Sequence, residues 1–237
     1  MNFIHYIPVA TTIFGFFFFL KLYSHWKDNK DSLHVFWWML GVLCYIAGTV
    51  SESVNTLVGF SIANFKIWYI TGALLGGAPL AQGTVYLLFK RKTANILTLI
   101  LSTFIISAAL LVILSPINNE LITGRLSGKL LGWTFIRYMT PFINLYAFIF
   151  LVGGAVFSAI KYARNVQYKK RFTGNLLIAI GGLLPGIGGS FTKFGYVEVL
   201  YVTEFIGLLF IYFGYKVIRS DSSASVHENQ QYELEVQ

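Results

Sequence analysis

Charge is scarce in this chain: only 12% of its 237 residues are Asp, Glu, Lys or Arg, about half the share of a soluble domain. No stretch is left over to fold as a separate soluble domain. Cysteine occurs once, as Cys44 inside an apolar run, which excludes an intrachain disulfide and a thiolate metal site. The four histidines, His5, His25, His34 and His227, lie near the ends of apolar runs or in the tail. Neither an in-membrane haem pair nor a zinc-like spacing results, so no metal ligand and no cofactor is expected. A nucleophile elbow and a phosphate-binding Gly-x-x-x-x-Gly-Lys are also missing, so no catalytic residue is assigned.

What the chain has instead is apolar length. Hydrophobic residues make up 56% and mean hydropathy is +0.65. The apolar runs are about as long as the roughly 20 residues a bilayer requires. They predict seven spans at 4–24, 33–58, 65–89, 93–115, 134–160, 173–193 and 197–218. These are helices, since lipid cannot satisfy open backbone groups and barrel strands would alternate over about ten residues. Ile4 to Tyr23 lacks a basic leader region and a small-x-small cleavage site, so it is expected to be the first span rather than a leader.

The net charge of +8 sits at span ends. Thirteen Lys and Arg fall on the side where spans 1, 3, 5 and 7 end, against five (Lys66, Arg125, Lys129, Arg137 and Lys193) on the other side. The basic-rich side is expected to be cytoplasmic, with the N-terminus outside, in a multi-pass protein of the cell membrane. No basic stripe forms a nucleic-acid reader, and no nucleic-acid partner is expected. The expected organisation is an all-α seven-helix bundle over residues 1–219 and a disordered acidic cytoplasmic tail over 220–237. The long external connection, Ser115 to Trp133, is expected to form an ordered lid or surface loop, with disorder as the alternative. Trp68-Tyr69-Ile70-Thr71 in span 3 is echoed by Leu200-Tyr201-Val202-Thr203 in span 7, which is compatible with a 3+1+3 parallel repeat.

Charge buried in a bilayer costs about 2.5–3.5 kcal/mol per residue on insertion scales, so acids inside spans are functional candidates. Glu204 lies 12 residues from Lys216, about 18 Å along the helix axis, and is the deepest acid. Glu52 and Asn55 share a face near the outer end of span 2. Glu198 opens span 7, and Lys66, Arg137 and Lys193 lie at similar height. Three acids and three bases are thus expected to converge around an outward-opening polar cavity, with ion pairing across helices as the bland alternative. Arg137, Asn144 and Tyr138 are expected in its wall, and Tyr201 joins Glu204 on a polar-aromatic stripe of span 7. In the inner half Gln82 is the main buried polar group. The ligand or ion site therefore comprises Glu204, Glu52, Asn55, Arg137, Asn144, Tyr201 and Gln82.

Span 6 reads Gly-Gly-x-x-Pro-Gly-x-Gly-Gly from Gly181 to Gly189. Tight helix packing explains such a run, and a broken or hinged helix at Pro185 and Gly186 is the sharper expectation. The glycine-rich faces allow a homo-oligomer without requiring one. Trp26, Trp37, Trp38, Trp68 and Trp133 lie near span ends and form an interfacial belt.

Seven helices, an external N-terminus and Trp68-Tyr69 opening span 3 resemble the microbial rhodopsins. That family binds retinal through a lysine in the middle of its last helix. Span 7 here reads Thr203-Glu204-Phe205-Ile206-Gly207-Leu208-Leu209 at that point, so covalent retinal is not expected. Trp68 to Ala73 and Gly83 to Leu88 also resemble bacterial seven-helix membrane proteins of unassigned function. The leading expectation is a transporter or channel for a small molecule or ion, with membrane lipid as its surroundings. A receptor or sensor for an external ligand and an intramembrane enzyme acting on lipid are the alternatives, an enzyme being the less expected because it would need a nucleophile or metal.

Overall fold

The computed structural model describes residues 3–164, 166–192 and 194–235, with side chains as far as residue 221 except that of residue 166. Lys193 lies outside the described residues. The chain is helical throughout, with one isolated β-bridge, Ile117 to Leu131, among the described residues.

After a 3-10 turn at Phe3–Tyr6, helix α1 runs Ile7–Asp28, with Pro8 in its first turn where a missing N–H breaks no bond. Helix α2 follows at Leu33–Leu57. The third apolar segment begins as α3, Ile62–Trp68, capped by Ser61 Oγ accepting from Asn64 N at 3.2 Å. It widens into a π-helical turn, Tyr69–Leu74, breaks at 75–77 and resumes as α4, Ala78–Leu88. Helix α5 covers Arg91–Leu114. Helix α6 (Ile136–Ala147), a π-turn (Phe148–Gly153) and α7 (Gly154–Ala163) form one continuous span. Helix α8 runs Lys169–Thr192, and α9 runs Val197–Glu235. Its apolar part is Val197–Asp221. The helix thus carries on through the segment that the sequence reads as a disordered tail. Propagating an existing helix needs no new nucleus, and that segment contains the helix formers Glu228, Gln230, Gln231 and Glu233.

Six helices are each long and apolar enough to cross a membrane. The third apolar segment is interrupted rather than continuous, where an unbroken span is expected. Gly76 and Gly77 hold the break and Pro79 restarts the helix in the first turn of α4, where it leaves no carbonyl orphaned. The break expected at Pro185 and Gly186 does not occur, because α8 passes through both as one helix. The ring of Pro185 lies 3.0 Å from where a Cβ on Gly207 would stand, so the partner glycine makes room for it.

Glycine sets the closest helix pair. Gly174, Gly181 and Gly188 recur every seventh residue along α8 and face Gly214, Gly207 and the Leu200–Thr203 turn of α9. A Cβ on Gly181 would stand 2.6 Å from Gly207 O, and one on Gly207 would stand 2.7 Å from Gly181 O. The remaining contacts bring α1 onto α2 and α9, α2 onto α3 and α4, and α6 onto α4 and α5. Two apolar cores result. One joins α1, α2, α4, α8, α9 and the π-turn leading into α7 around Phe18, Val42, Leu80, Leu151 and Leu208, and the other joins α3 to α6 and the long loop around Phe65, Leu74 and Ile143. Leucines, isoleucines and phenylalanines cover the outside, Phe142, Leu99 and Phe157 among them.

The loop from Ser115 to Trp133 is ordered, as expected. Short 3-10 turns at Asn119–Leu121 and Gly128–Leu130, the bond Asn118 N to Leu130 O at 2.9 Å and the buried Leu126, Leu130 and Leu131 fold it over one end of the bundle. That end is called the lid end below, and the opposite one the basic end.

Candidate carboxyl-pair site

The site is set by a crossing of two glycines. A Cβ on Gly48 of α2 would stand 3.2 Å from Gly72 Cα in the π-turn, so the two backbones nearly touch there. One turn toward the lid end on each element lie Glu52, four residues after Gly48, and Trp68, four residues before Gly72. The crossing brings them together: Trp68 Nε1 donates to Glu52 Oε1 at 3.0 Å. Glu52 is 2% exposed.

Its second oxygen, Oε2, has no donor among the described residues. The neighbouring group is the carboxyl of Glu204 on α9, and the two side chains interact directly. Tyr45, on α2, donates to the backbone oxygen of Glu204 at 2.9 Å and ties the α9 backbone to α2 beside the pair. Tyr201, one turn nearer the lid end on α9, is 5% exposed and lies within electrostatic range of both acids. Neither acid forms an ion pair among the described residues, whose two salt bridges are His5 with Glu198 at 3.7 Å and Arg171 with Asp221 at 2.8 Å.

Of the three bases expected beside the acids, the two that are described, Lys66 and Arg137, do not join Glu52 or Glu204. Lys66 Nζ donates instead to Ile113 O at 2.6 Å and Ser115 O at 3.0 Å, satisfying the carbonyl end of α5. Arg137 is exposed on α6, in electrostatic range of Tyr69. Asn144 lies two turns along the same face of α6 and is exposed as well, as is Tyr138. Glu198 is taken by His5, which the histidine inventory left without a role.

Asn55 is drawn to the lid. Its Nδ2 donates to Gly124 O at 3.0 Å, and its Oδ1 is buried without a partner among the described residues. Gly124 has φ +77°, a conformation that favours glycine and that sets the orientation of this carbonyl. Arg125 Nη1 reaches Gly195 O at 3.4 Å on the loop between α8 and α9. The outward-opening cavity read from the sequence is accordingly covered: the lid lies across this end, and Glu52 and Tyr201 are buried beneath it.

Gln82 lies apart from the acids, on α4, and is 0% exposed. Its Nε2 donates to Ala94 O at 3.2 Å and to Thr98 Oγ1 at 2.7 Å, and its Oε1 accepts from Tyr146 OH at 2.5 Å. Both amide protons and the carbonyl are used, so the side chain clamps α4 to α5 and α6. Pro185 and Gly186 are on α8. A Cβ on Gly186 would meet nothing within 4 Å.

The fold and site define a class no finer than an all-helical chain with membrane-length apolar helices around two neighbouring carboxyl groups, Glu52 buried and Glu204 half-buried. No protein-family model, curated protein or solved structure matches the chain.

Proposed function

We propose that the protein is a seven-span protein of the cell membrane, N-terminus outside and C-terminus cytoplasmic, that translocates a proton or a small cation through the Glu52–Glu204 pair. The interrupted third segment supplies the seventh span, and the lid end faces outward because the basic residues crowd the opposite end. The observation that carries the reading is the pair itself. Two carboxyl groups meet within the helix bundle, and among the described residues no lysine or arginine pairs with either and one oxygen of Glu52 has no donor. Two like charges in so apolar a setting repel strongly, and either a shared proton or a bound cation relieves that repulsion. A structural ion pair would have recruited Lys66 or Arg137.

The test uses purified protein in liposomes that trap a pH-sensitive dye, with a potassium diffusion potential imposed and proton, sodium and potassium fluxes followed. Wild-type protein carries flux of one of these ions, and Glu204→Gln and Glu52→Gln each abolish it while folding normally. Flux unchanged in both variants overturns the reading.

A receptor that responds to an external ligand at the same acids is the second reading. One observation favours it: Gln82, nearer the basic end, is 0% exposed with both amide protons and its carbonyl engaged, so an ion passing that way would have to displace these bonds. Such a protein would bind its ligand through Glu204 and show no flux at all.

A further inference from the structure

Far from the acids, α1 and α9 leave an open cleft of about 520 Å3 near the basic end, a size typical of small-ligand sites. Lys21 and Phe17 of α1 form one wall, and Tyr212, Tyr215, Lys216 and Arg219 of α9 form the other. Its charged lining is of one sign. Asp221, the nearest acid on α9, is held by Arg171 Nε at 2.8 Å, and Asp28 lies seven residues beyond Lys21 on α1, about 10 Å along the axis.

The cations are arranged rather than scattered. Tyr215 OH accepts from Arg219 Nη1 at 3.1 Å and pairs with His25 Nδ1 at 2.9 Å, so a hydroxyl bridging both helices fixes the guanidinium at the rim. Lys21 Nζ stands 5.5 Å from the centre of the Phe17 ring, and Lys21 and Lys216 are both exposed. Beside this polar rim the lining turns aromatic, with Phe17 43% exposed on the face that the apolar part of α1 presents outward. Lys21 and Lys216 fall within the last two turns of their membrane-length apolar helices, the level of phospholipid headgroups.

We propose that this cleft binds one anionic phospholipid, its phosphate held by Lys21, Lys216 and Arg219 and its acyl chains laid along Phe17 and Tyr212. A free phosphate would use the rim alone and leave the aromatic wall empty. The other cleft at this end, lined by Lys169, Lys170 and Thr173, includes Asp221 already engaged by Arg171 and lacks the aromatic floor.

The experiment is native mass spectrometry of the full chain with phosphatidylglycerol or phosphatidylcholine added, backed by titration in nanodiscs. The variant is Lys21→Gln with Lys216→Gln, and the control is Lys90→Gln with Lys92→Gln, which removes the same charge elsewhere at the basic end. Phosphatidylglycerol should be retained over phosphatidylcholine at one copy per chain. The cleft variant should lose about 30-fold in affinity, from two phosphate contacts near the surface, and the control less than about threefold. Lys21→Arg with Lys216→Arg should restore binding, which separates lost contact from lost fold. Equal losses in variant and control, or equal retention of the two lipids, overturn the proposal. So does inorganic phosphate that competes as well as the lipid, since it would identify a soluble-anion site.

Discussion

Gly188→Ala adds one methyl group to α8 where it closely approaches α9. An ideal Cβ there stands 2.0 Å from Thr203 Oγ1 and 2.8 Å from Leu200 Cα. The threonine hydroxyl is committed to Val199 O at 2.8 Å and Leu200 O at 3.0 Å, and Leu200 Cα is backbone, so neither can simply turn aside. Carbon atoms rest about 3.5–4.0 Å apart; the two helices must therefore part by roughly 1 Å, which also loosens Gly181 against Gly207. Overpacking of this kind costs about 1–3 kcal/mol. Gly186→Ala is the matched control two residues earlier, where a Cβ meets nothing within 4 Å. Alanine's helix preference alone should then make it neutral to about 1 kcal/mol more stable.

The two variants should thus differ by about 1–4 kcal/mol in unfolding by sodium dodecyl sulfate titration in mixed micelles, followed by circular dichroism. If Gly188→Ala is no less stable than Gly186→Ala, the seam does not hold these helices and the glycine-rich pattern requires another cause. Gly186→Ala carries a functional reading as well. A protein more stable but slower in flux would assign Gly186 to motion, whereas unchanged flux would leave it a neutral position on α8.

Trp68→Phe keeps most of the ring but removes the one donor to Glu52, and should cost about 1.5–3 kcal/mol of stability; in a Glu52→Gln background that loss should shrink by at least half, and strict additivity in the double-mutant cycle would show that Trp68 only fills space. Tyr146→Phe strips the donor from the fully buried Gln82 carbonyl and should cost about 1–3 kcal/mol while leaving ion flux intact; flux lost without instability would place the conduction route through the Gln82 cluster.

Run length carried most of the helix layout, because a bilayer imposes its thickness on any chain that crosses it. The predicted spans and the observed helices agree to within a few residues at most ends, and the lid was legible from its length and its mixture of Pro116, Asn118, Gly124 and Gly128. Which helix breaks was not legible. Glycine and proline are abundant in both the third and sixth apolar segments, and their effect depends on what each one faces. In α8, Gly174, Gly181 and Gly188 face another backbone, so they make the helix pair closer, and Pro185 settles against Gly207. In the third segment Gly76 and Gly77 precede Pro79 at a helix start, and the chain bends.

The acids were legible and their partners were not. Depth along a helix follows from residue counting, which singled out Glu204 and Glu52, whereas long-range pairing has no local signature. Lys66 found carbonyls, Glu198 found His5, and Trp68, read as interfacial, turned inward. The spacing that could have found it was present all along: Gly48 with Glu52 and Trp68 with Gly72 are both four apart, so a glycine crossing implies a side-chain meeting one turn away.

The two ends of the bundle are closed in unequal ways, and this bears on how an ion would reach the pair. At the lid end the bonds that fasten the loop are Asn55 to Gly124 and the long Arg125 to Gly195 contact, both exposed. Water can replace exposed hydrogen bonds as they part, at a net cost of about 0.5–1.5 kcal/mol each. On the other side Gln82 would have to surrender three bonds at 0% exposure, each leaving a buried group unpaired at about 1–3 kcal/mol. Lifting the whole loop would also expose Leu126, Leu130 and Leu131, at about 1.5–3 kcal/mol each. The cheaper motion therefore parts only the two exposed contacts at Gly124 and Arg125 and leaves those leucines seated, and exchange with the Glu52–Glu204 pair should occur first there. A transporter would need its substrate to offset the larger cost of opening the Gln82 cluster, whereas a receptor could leave that cluster shut.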